Sequence, residues 1–330
     1  MTSRTQFIKT FPLVFSFFLL ANNFALSQNH DFSEVDEYAV NFKGKYESPA
    51  ALAVKLTEPF DSELEKSRAI FMWIAQNIRY DCKKFHKPKS NYVSAASKEE
   101  LEAKIAAGKA KATEKAFKIK KGVCEDYSQI FKTMCGAAGL EAVVVTGNAR
   151  DFHKPHRNAH NNPHAWNAVK IDGQWHLLDA TWAAGYTDPA VKKFTRKLST
   201  GFFMTDPAWL IQNHFPDDPK WQLLDEPISK KEFPDQPMVN FGQQDYPVLG
   251  FSEKIKKVKG KGYDRELRIK LERSPKYFFL TTQRGRAIKF KHVSEDGYEV
   301  FRFAGRNVRN IVLFGGEDQQ RMGWLAKYEL

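Results

Sequence analysis

The chain has 330 residues, of which 42% are hydrophobic and 14% aromatic, and it carries a formal net charge of +12 at pH 7. This apolar content is enough for a large core, which excludes disorder along most of the length. The positive charge suits peripheral contact with anionic surface polymers. None of the usual nucleic-acid-binding motifs occurs, so no nucleic-acid partner is expected.

The N-terminus has the pattern of a secretory signal peptide. Arg4 and Lys9 give a basic start, and an apolar run follows over residues 11–21. That run is too short to span a bilayer comfortably, although a retained N-terminal anchor is the alternative interpretation. Residues 1–27 are therefore predicted to be cleaved near Ser27-Gln28, giving a secreted or periplasmic protein.

The next predicted elements are helical. Residues 28–60 are expected to form an irregular lead-in with one short helix around 48–56. Ser62 and Glu65 then form a capping-box pattern in front of a helical stripe of apolar residues. We expect this helix to end near Arg79.

A polar loop is predicted over residues 82–97. Residues 98–121 are rich in Ala, Lys and Glu, which favours solvent-exposed helix, with an interruption expected at Gly108. After Gly122, apolar residues recur at helical spacing and predict a helix with Cys124 in its first turn.

The chain contains three cysteines, Cys82, Cys124 and Cys135. An odd number in an exported chain leaves at least one thiol unpaired within the monomer, and three are too few for a disulfide scaffold. Cys124 lies where helix amides and the macrodipole favour a thiolate, and Gly122 just before it would let a substrate backbone approach. Cys135 is expected to be a core residue. A buried structural role for Cys124 is the alternative.

A buried strand is predicted at residues 142–145, followed by a hairpin. Its arms are residues 165–171 and 174–180, joined by Asp172-Gly173. This dipeptide is a strong hairpin signal because a type I′ turn needs positive φ at both central residues.

The hairpin register brings three side chains to one sheet face, those of His164, Trp166 and Asp179. His164 and Asp179 become diagonal neighbours, so the carboxylate can hold one imidazole nitrogen and leave the other for a thiol. A slip of one residue would remove this arrangement. The alternatives are a strand-end role for His164, a capping role for Asp179, and either substrate contact or core packing for Trp166.

The remaining chain divides into two parts. Residues 200–235 are rich in proline and are expected to form loops and short helices packed on the first domain. Beyond residue 237, alternating apolar segments separated by glycine predict a β-rich module, a small sandwich or barrel. The predicted domains are 28–236 and 237–330.

Four histidines, at positions 153, 156, 160 and 164, suggest a zinc site at first sight. Pro163 keeps His160 and His164 from sharing a regular helical turn, and no fixed ligand geometry is visible. Neither a metal nor another cofactor is therefore predicted.

Three segments resemble the transglutaminase-like superfamily, and the kyphoscoliosis-peptidase-type branch, which has secreted bacterial members, is the most similar. They are residues 68–81 (RAIFMWIAQNIRYD), 121–140 (KGVCEDYSQIFKTMCGAAGL) and 164–186 (HAWNAVKIDGQWHLLDATWAAGY). His214-Phe215-Pro216 also resembles the tail of that branch. The resemblance covers roughly residues 60–225 in family order and spacing.

This resemblance implies an α+β, papain-like core in which a helix bearing the cysteine packs on an antiparallel sheet bearing His and Asp. Position by position, it makes Cys124 the nucleophile, His164 the general base and acid, and Asp179 the residue that orients it. Asp126 departs from the pattern, because a small residue is expected there. It would repel anionic substrates or raise the pKa of the thiol.

The predicted function is an exported cysteine-dependent amide-processing enzyme, a peptidase or amidase acting through a Cys124 thioester on protein, peptide or cell-wall peptide. The alternatives are a non-catalytic adaptor and a cross-linking transglutaminase. The Cys124 amide is one candidate oxyanion donor, with Gln76 and Trp73 as weaker candidates. The sequence determines neither the oligomeric state nor the substrate.

Overall fold

The computed structural model describes residues 30–87, 93–150, 159–240, 245–252, 254–260 and 262–330. The predicted signal peptide and the histidines at 153 and 156 lie outside these ranges. Within them, no helix is long and apolar enough to cross a membrane.

The α-helices of the described residues precede and surround the first sheet. In chain order they are α1 (Ser33–Asn41), α2 (Pro49–Thr57), α3 (Glu63–Asn77), α4 (Cys82–Phe85), α5 (Lys98–Ile119), α6 (Cys124–Ala137), α7 (Ala180–Ala184) and α8 (Pro207–Leu210).

The capping-box prediction for α3 is confirmed in part: Ser62 is the N-cap, but the Glu65 carboxylate bonds to the Ser62 hydroxyl and not to its backbone N–H. The Ser62 hydroxyl accepts a hydrogen bond from the Glu65 backbone N–H at 3.1 Å and donates one to the Glu65 carboxylate at 2.6 Å. The helix ends at Asn77, two residues before the expected position. Helix α1 was not predicted; it is tied to α3 by an ion pair of 2.7 Å between Asp36 and Arg68.

Two details predicted between residues 82 and 121 were wrong, a loop at residue 82 and a helix break at Gly108. The expected loop contains the short helix α4, whose N-cap Asp81 accepts from the Lys84 backbone N–H at 3.0 Å. Helix α5 runs through Gly108 without a break, because glycine weakens a helix without ending it, and the flanking Ala and Lys residues favour helix.

The strands follow in chain order. They are β1 (Arg79–Tyr80), β2 (Lys121–Gly122), β3 (Ala142–Ala149), β4 (Pro163–Ile171), β5 (Gln174–Leu178), β6 (Gly185–Thr187), β7 (Phe194–Arg196), β8 (His214–Pro216), β9 (Met238–Val239), β10 (Val248–Phe251), β11 (Lys256–Lys257), β12 (Arg265–Leu271), β13 (Tyr277–Thr281), β14 (Phe290–Glu295), β15 (Tyr298–Phe303), β16 (Asn310–Asp318) and β17 (Arg321–Glu329).

The first sheet has the antiparallel order β5-β4-β3-β8. Its β4–β5 hairpin has the predicted register, with Ile171 opposite Gln174. Asp172 and Gly173 have φ values of 48° and 79°, as a type I′ turn requires. The predicted turn and register are therefore confirmed, whereas the second arm ends at Leu178, two residues before the predicted end, because Asp179 is the N-cap of α7.

Helix α6 packs on β3 and β4 and on helices α2 and α3. One large hydrophobic cluster fills this region and includes Phe71, Tyr127 and Phe131, all fully buried. The Asn167 side chain on β4 donates to the Ser128 carbonyl of α6 at 3.0 Å, which fixes helix against sheet. This mixed helix and antiparallel sheet is the predicted α+β architecture.

The C-terminal region is a β-sandwich. One sheet has the order β10-β12-β15-β14 with β11 paired to β12, and the other has the order β13-β16-β17-β9. Both contribute to one cluster, which contains Leu267 and Phe301 from the first sheet and Leu313 and Leu325 from the second. The boundary between residues 236 and 237 stays a prediction.

Candidate active site

Cys124 is the first residue of α6 and is half-buried. Asp126 caps the start of this helix, because its carboxylate accepts a hydrogen bond from the Val123 backbone N–H at 2.7 Å. Asp126 also forms an ion pair with Lys84 at 2.7 Å. Its carboxylate is buried and neutralised, so the expected repulsion of anionic substrates is not supported by its position.

Gly122 has a packing role that was not expected. A Cβ atom at this position would lie 2.5 Å from the Asp126 Cβ and 2.8 Å from its Oδ2. Real Cβ contacts essentially never come this close. The glycine therefore makes room for the side chain that closes the helix, next to the cysteine.

His164 and Asp179 meet as the register predicted. The Nε2 atom of His164, at the beginning of β4, lies 2.6 Å from Asp179 Oδ2. Asp179 follows β5 and is also the N-cap of α7: its Oδ1 accepts from the backbone N–H groups of Thr181 at 2.7 Å and Trp182 at 3.0 Å. Asp179 therefore has both functions that the sequence had presented as alternatives, and it is completely buried.

The Cys124 thiol lies beside the His164 side chain, which acts to lower the pKa of the thiol. Because Nε2 of His164 faces Asp179, Nδ1 is the ring nitrogen left for the thiol. Burial raises the pKa of Cys124, but the hydrogen bond and charge of His164 and the Ala165 backbone N–H outweigh it, so the pKa is lowered overall.

The other two groups are shifted in the matching directions. Burial acts to lower the pKa of His164, yet the charge and hydrogen bond of Asp179, with a smaller contribution from Cys124, raise it overall. Burial acts to raise the pKa of Asp179, and His164 and His214 together lower it well below its usual range. These directions favour a thiolate beside an imidazolium supported by a carboxylate.

The other cysteines have no such environment. Cys135 is fully buried in the last turn of α6, and burial raises its pKa well above the ordinary value. The pKa of Cys82 is also raised, chiefly by burial. All three cysteines are free thiols. Cys124 is the thiol whose pKa is lowered.

Trp166 does not line an open cleft. Only 1% of the residue is exposed, and it packs in a cluster with Val145 and Leu177. Its ring lies 6.0 Å from that of His164 in a stacked orientation. The prediction of substrate contact is therefore corrected: Trp166 is a core residue that supports the His164 ring.

Two residues near the site were missed as functional candidates. His214 on β8 places its Nε2 3.0 Å from Asp179 Oδ2, the same oxygen that faces His164. Tyr80 precedes α4 and pairs with Gly122; burial raises its pKa, and a nearby Cys124 thiolate acts in the same direction. Both residues lie in segments that resemble the family, but sequence spacing does not place either of them at the site, because both reach it through strand pairing.

The structure gives little support to Trp73 and Gln76 as donors to the oxyanion. Trp73 is buried and packs against Phe117 and Lys120 in the core. Gln76 is half-buried on the same helix.

Ligand atoms of His164, Asp179 and His214 lie within 4.8 Å of one another and could in principle hold a metal ion. In this arrangement, however, Asp179 Oδ2 itself lies at hydrogen-bond distance from both ring nitrogens. The three groups are therefore best described as a hydrogen-bonded network. Two of the four histidines first considered as zinc ligands lie among the described residues: His164 belongs to this network, and His160 packs against Phe215 and Phe233.

The sequence comparison agrees with this geometry. Residues 50–180 match the model of the transglutaminase-like superfamily. The chain contains a transglutaminase-like superfamily domain. All three residues of the Cys124–His164–Asp179 arrangement lie within the matched range.

This transglutaminase-like domain is homologous to kyphoscoliosis peptidase. The mouse protein is 35% identical over 184 residues, which cover 55% of this chain and 25% of the mouse protein. The human protein is 33% identical over 204 residues, covering 61% and 28%. The chain thus spans about a quarter of the length of these curated relatives.

Among solved structures, the periplasmic domain of TgpA from Pseudomonas aeruginosa is 18% identical. The alignment covers 45% of this chain and 47% of that one, with a TM-score of 0.27. The family assignment depends on the sequence matches alone.

Proposed function

We propose that this chain is an exported cysteine peptidase or amidase that cleaves amide bonds of protein or peptide substrates, cell-wall peptides included. The observation that carries the proposal is a single imidazole, His164, that lies 2.6 Å from the Asp179 carboxylate and also acts on the Cys124 thiol to lower its pKa. A thiol activated in this way is a nucleophile rather than a packing group.

The proposed reaction begins with attack of the Cys124 Sγ on the substrate carbonyl carbon. The His164 imidazolium gives its proton to the leaving amine nitrogen, and a thioester remains on the sulfur. His164, now neutral, then takes a proton from water as the water oxygen attacks the thioester carbon. The C–S bond breaks, the acid is released, and the Cys124 thiolate and His164 imidazolium are restored. The backbone N–H of Cys124, at the start of α6, is a candidate donor to the oxyanion.

Two further parts of the proposal have separate support. Export is supported by the signal-peptide pattern of residues 1–27, and N-terminal sequencing of the secreted protein would test it, with Gln28 as the expected first residue. Hydrolysis rather than cross-linking is supported by the name of the curated relatives, which are called peptidases.

The first experiment is labelling of the mature protein with iodoacetamide near neutral pH, with each cysteine followed by mass spectrometry. Cys124 should react far faster than Cys135, because its pKa is lowered whereas that of Cys135 is raised. Equal and slow labelling of both thiols would contradict the proposal.

The second experiment is a substrate screen with exported proteins and wall fragments, with and without a labelled primary amine. New amino termini that depend on Cys124 would support a peptidase, and incorporation of the amine would instead indicate a transglutaminase. A Cys124→Ala protein that keeps its full biological role would indicate an adaptor.

A further inference from the structure

We propose that His214 is a positioning residue for the triad, a fourth member that holds the Asp179 carboxylate so that one of its oxygens orients His164. This inference rests on the proposed function, because it concerns the activation of Cys124. His214 would contact neither the thiol nor the substrate; it would act through Asp179.

The first argument is the number of donors around one carboxylate. Asp179 Oδ2 faces Nε2 of His164 at 2.6 Å and Nε2 of His214 at 3.0 Å, while Oδ1 accepts two backbone N–H groups of α7. An ionised carboxylate only accepts, so both ring nitrogens must donate. The carboxylate is thereby fixed in position and in rotation about its Cβ–Cγ bond.

The second argument is that His214 is itself held firmly. It is 1% exposed, and its Nδ1 lies 2.5 Å from the Oδ1 position of the Asn213 side chain. Because a neutral His214 that donates from Nε2 has an accepting Nδ1, the Asn213 amide must turn its NH2 group toward the ring to donate to it. Strand β8 pairs with β3, which places His214 opposite Ala149. The backbone N–H of Arg150 donates to the Asn213 carbonyl at 2.7 Å, which ties down the segment that carries the ring.

The same ring also packs against the other side chains of the site. The His214 ring centroid lies 5.3 Å from that of His164, 5.1 Å from Trp166 and 4.6 Å from Trp182. The charged or titratable side chains that it faces are Asp179 and His164. Its position is therefore determined by contacts on several sides, as a positioning role requires.

The third argument is the charge state of His214. Burial lowers the pKa of His214 to about 4, and the charge of His164 acts in the same direction, against the hydrogen bond from His214 to Asp179. His214 is therefore neutral near neutral pH. It can hold the carboxylate without competing with the His164 imidazolium for its negative charge.

The test compares His214→Gln with His214→Met, two side chains of similar size. The glutamine amide can donate to Asp179 from about the position of Nε2, whereas methionine cannot donate. The probe is iodoacetamide, and the readout is the pH profile of Cys124 alkylation in the full-length folded protein. A purely structural residue would change the melting temperature but not this profile.

In His214→Met we expect the apparent pKa of Cys124 to rise, with alkylation on the acidic side slowed about tenfold for each unit of that rise. His214→Gln should restore most of the original profile. The matched control is His176→Leu, which changes another buried histidine of the same sheet, and it should leave the profile unchanged.

A folded His214→Met protein with the original profile would overturn the proposal. Should His214→Met not fold, His214→Leu serves as the second variant without a donor. If neither folds while His214→Gln does, the role is structural and the proposal fails. Failure of the proposed function is distinguishable, since Cys124 of the unaltered protein would then react like an ordinary thiol.

Discussion

Among the residues that the structure describes, two carboxylates are almost fully buried and hydrogen-bonded to histidine, and one of them belongs to the candidate active site. Asp179 lies 2.6 Å from Nε2 of His164 in the first sheet region. Glu299, on β15 of the sandwich, lies 2.5 Å from Nε2 of His292. The exposed fractions are 0% and 7%.

The two pairs differ in the group that each imidazole contacts on the side away from its carboxylate. His164 has the Cys124 thiol there, at the start of a helix, whereas His292 lies between the rings of Phe278 and Phe301 at 4.7 and 4.9 Å. Serines are present near Glu299, but Ser294 donates to the carboxylate and not to the imidazole. An imidazole–carboxylate pair alone is thus not a catalytic site. It needs a nucleophile placed next to the imidazole.

The largest expected effect follows from removing that nucleophile. Cys124→Ala should abolish amide cleavage, a loss on the order of a thousandfold or more, because no other group forms the thioester. The measurement is cleavage of a substrate found in the screen. Cys135→Ala is the control and should keep its activity; equal loss in both variants would contradict the assignment.

The comparison becomes sharper when each carboxylate loses its charge. Asp179→Asn should lower the rate on the order of a thousandfold, because the imidazolium loses its counter-charge and its fixed orientation. Glu299→Gln should leave the rate unchanged and cost about 1–3 kcal/mol of stability, the usual penalty for disturbing a buried hydrogen-bonded group. Kinetics and thermal denaturation of both variants would check this pair, and a large rate loss in Glu299→Gln would break the comparison.

Acid stability gives a further test of the Asp179 carboxylate. The pKa of Asp179 is lowered in the folded state, so its contribution to the free energy of unfolding is present above its ordinary value of about 4 and is lost as the pH falls. The melting temperature of Asp179→Asn should therefore lie below that of the unaltered protein at neutral pH, and the gap should narrow on acidification. A difference in melting temperature that stays constant down to about pH 2 would show that the pKa of the Asp179 carboxylate is not lowered.

Much of the site was predictable because it depends on local rules. The Asp172-Gly173 turn determined the register of the β4–β5 hairpin, and the register brought His164 to Asp179. The apolar spacing after Gly122 determined that Cys124 begins a helix. Both patterns operate within about twenty residues of sequence.

The remaining parts depend on distant pairing or on exact packing. His214 reaches Asp179 because β8 pairs with β3, about 65 residues earlier in the chain, and sequence spacing does not encode that contact. The burial of Trp166 depends on a cluster contributed by several elements. Helix α5 tolerates Gly108 because the cost of one glycine is only about 1 kcal/mol relative to alanine. The sequence pattern does not show whether so small a cost ends the helix.

The helix start that supplies the nucleophile can be tested by a smaller change. Gly122→Ala would place a Cβ 2.5 Å from that of Asp126. We expect the free energy of unfolding to fall by about 1–3 kcal/mol and the alkylation of Cys124 to slow. The reason is that overpacking must displace the Asp126 side chain, which caps the helix. The control is Gly108→Ala on α5, where a Cβ meets nothing within 4 Å; it should stabilise the protein by about 0.5–1 kcal/mol. Equal destabilisation in the two variants would rule out the proposed role of Gly122.

The smallest expected effect lies at the second carboxylate. The Ser294 hydroxyl donates to Glu299 Oε2 at 2.7 Å, and Ser274 and His292 also bond to this carboxylate. Ser294→Ala should therefore cost only about 1 kcal/mol, since two donors remain, and it should leave cleavage unchanged. Thermal denaturation and the substrate assay measure the two parts separately. A loss of activity with unchanged stability would mean that the serine takes part in catalysis, and the distinction between the two imidazole–carboxylate pairs would then be wrong.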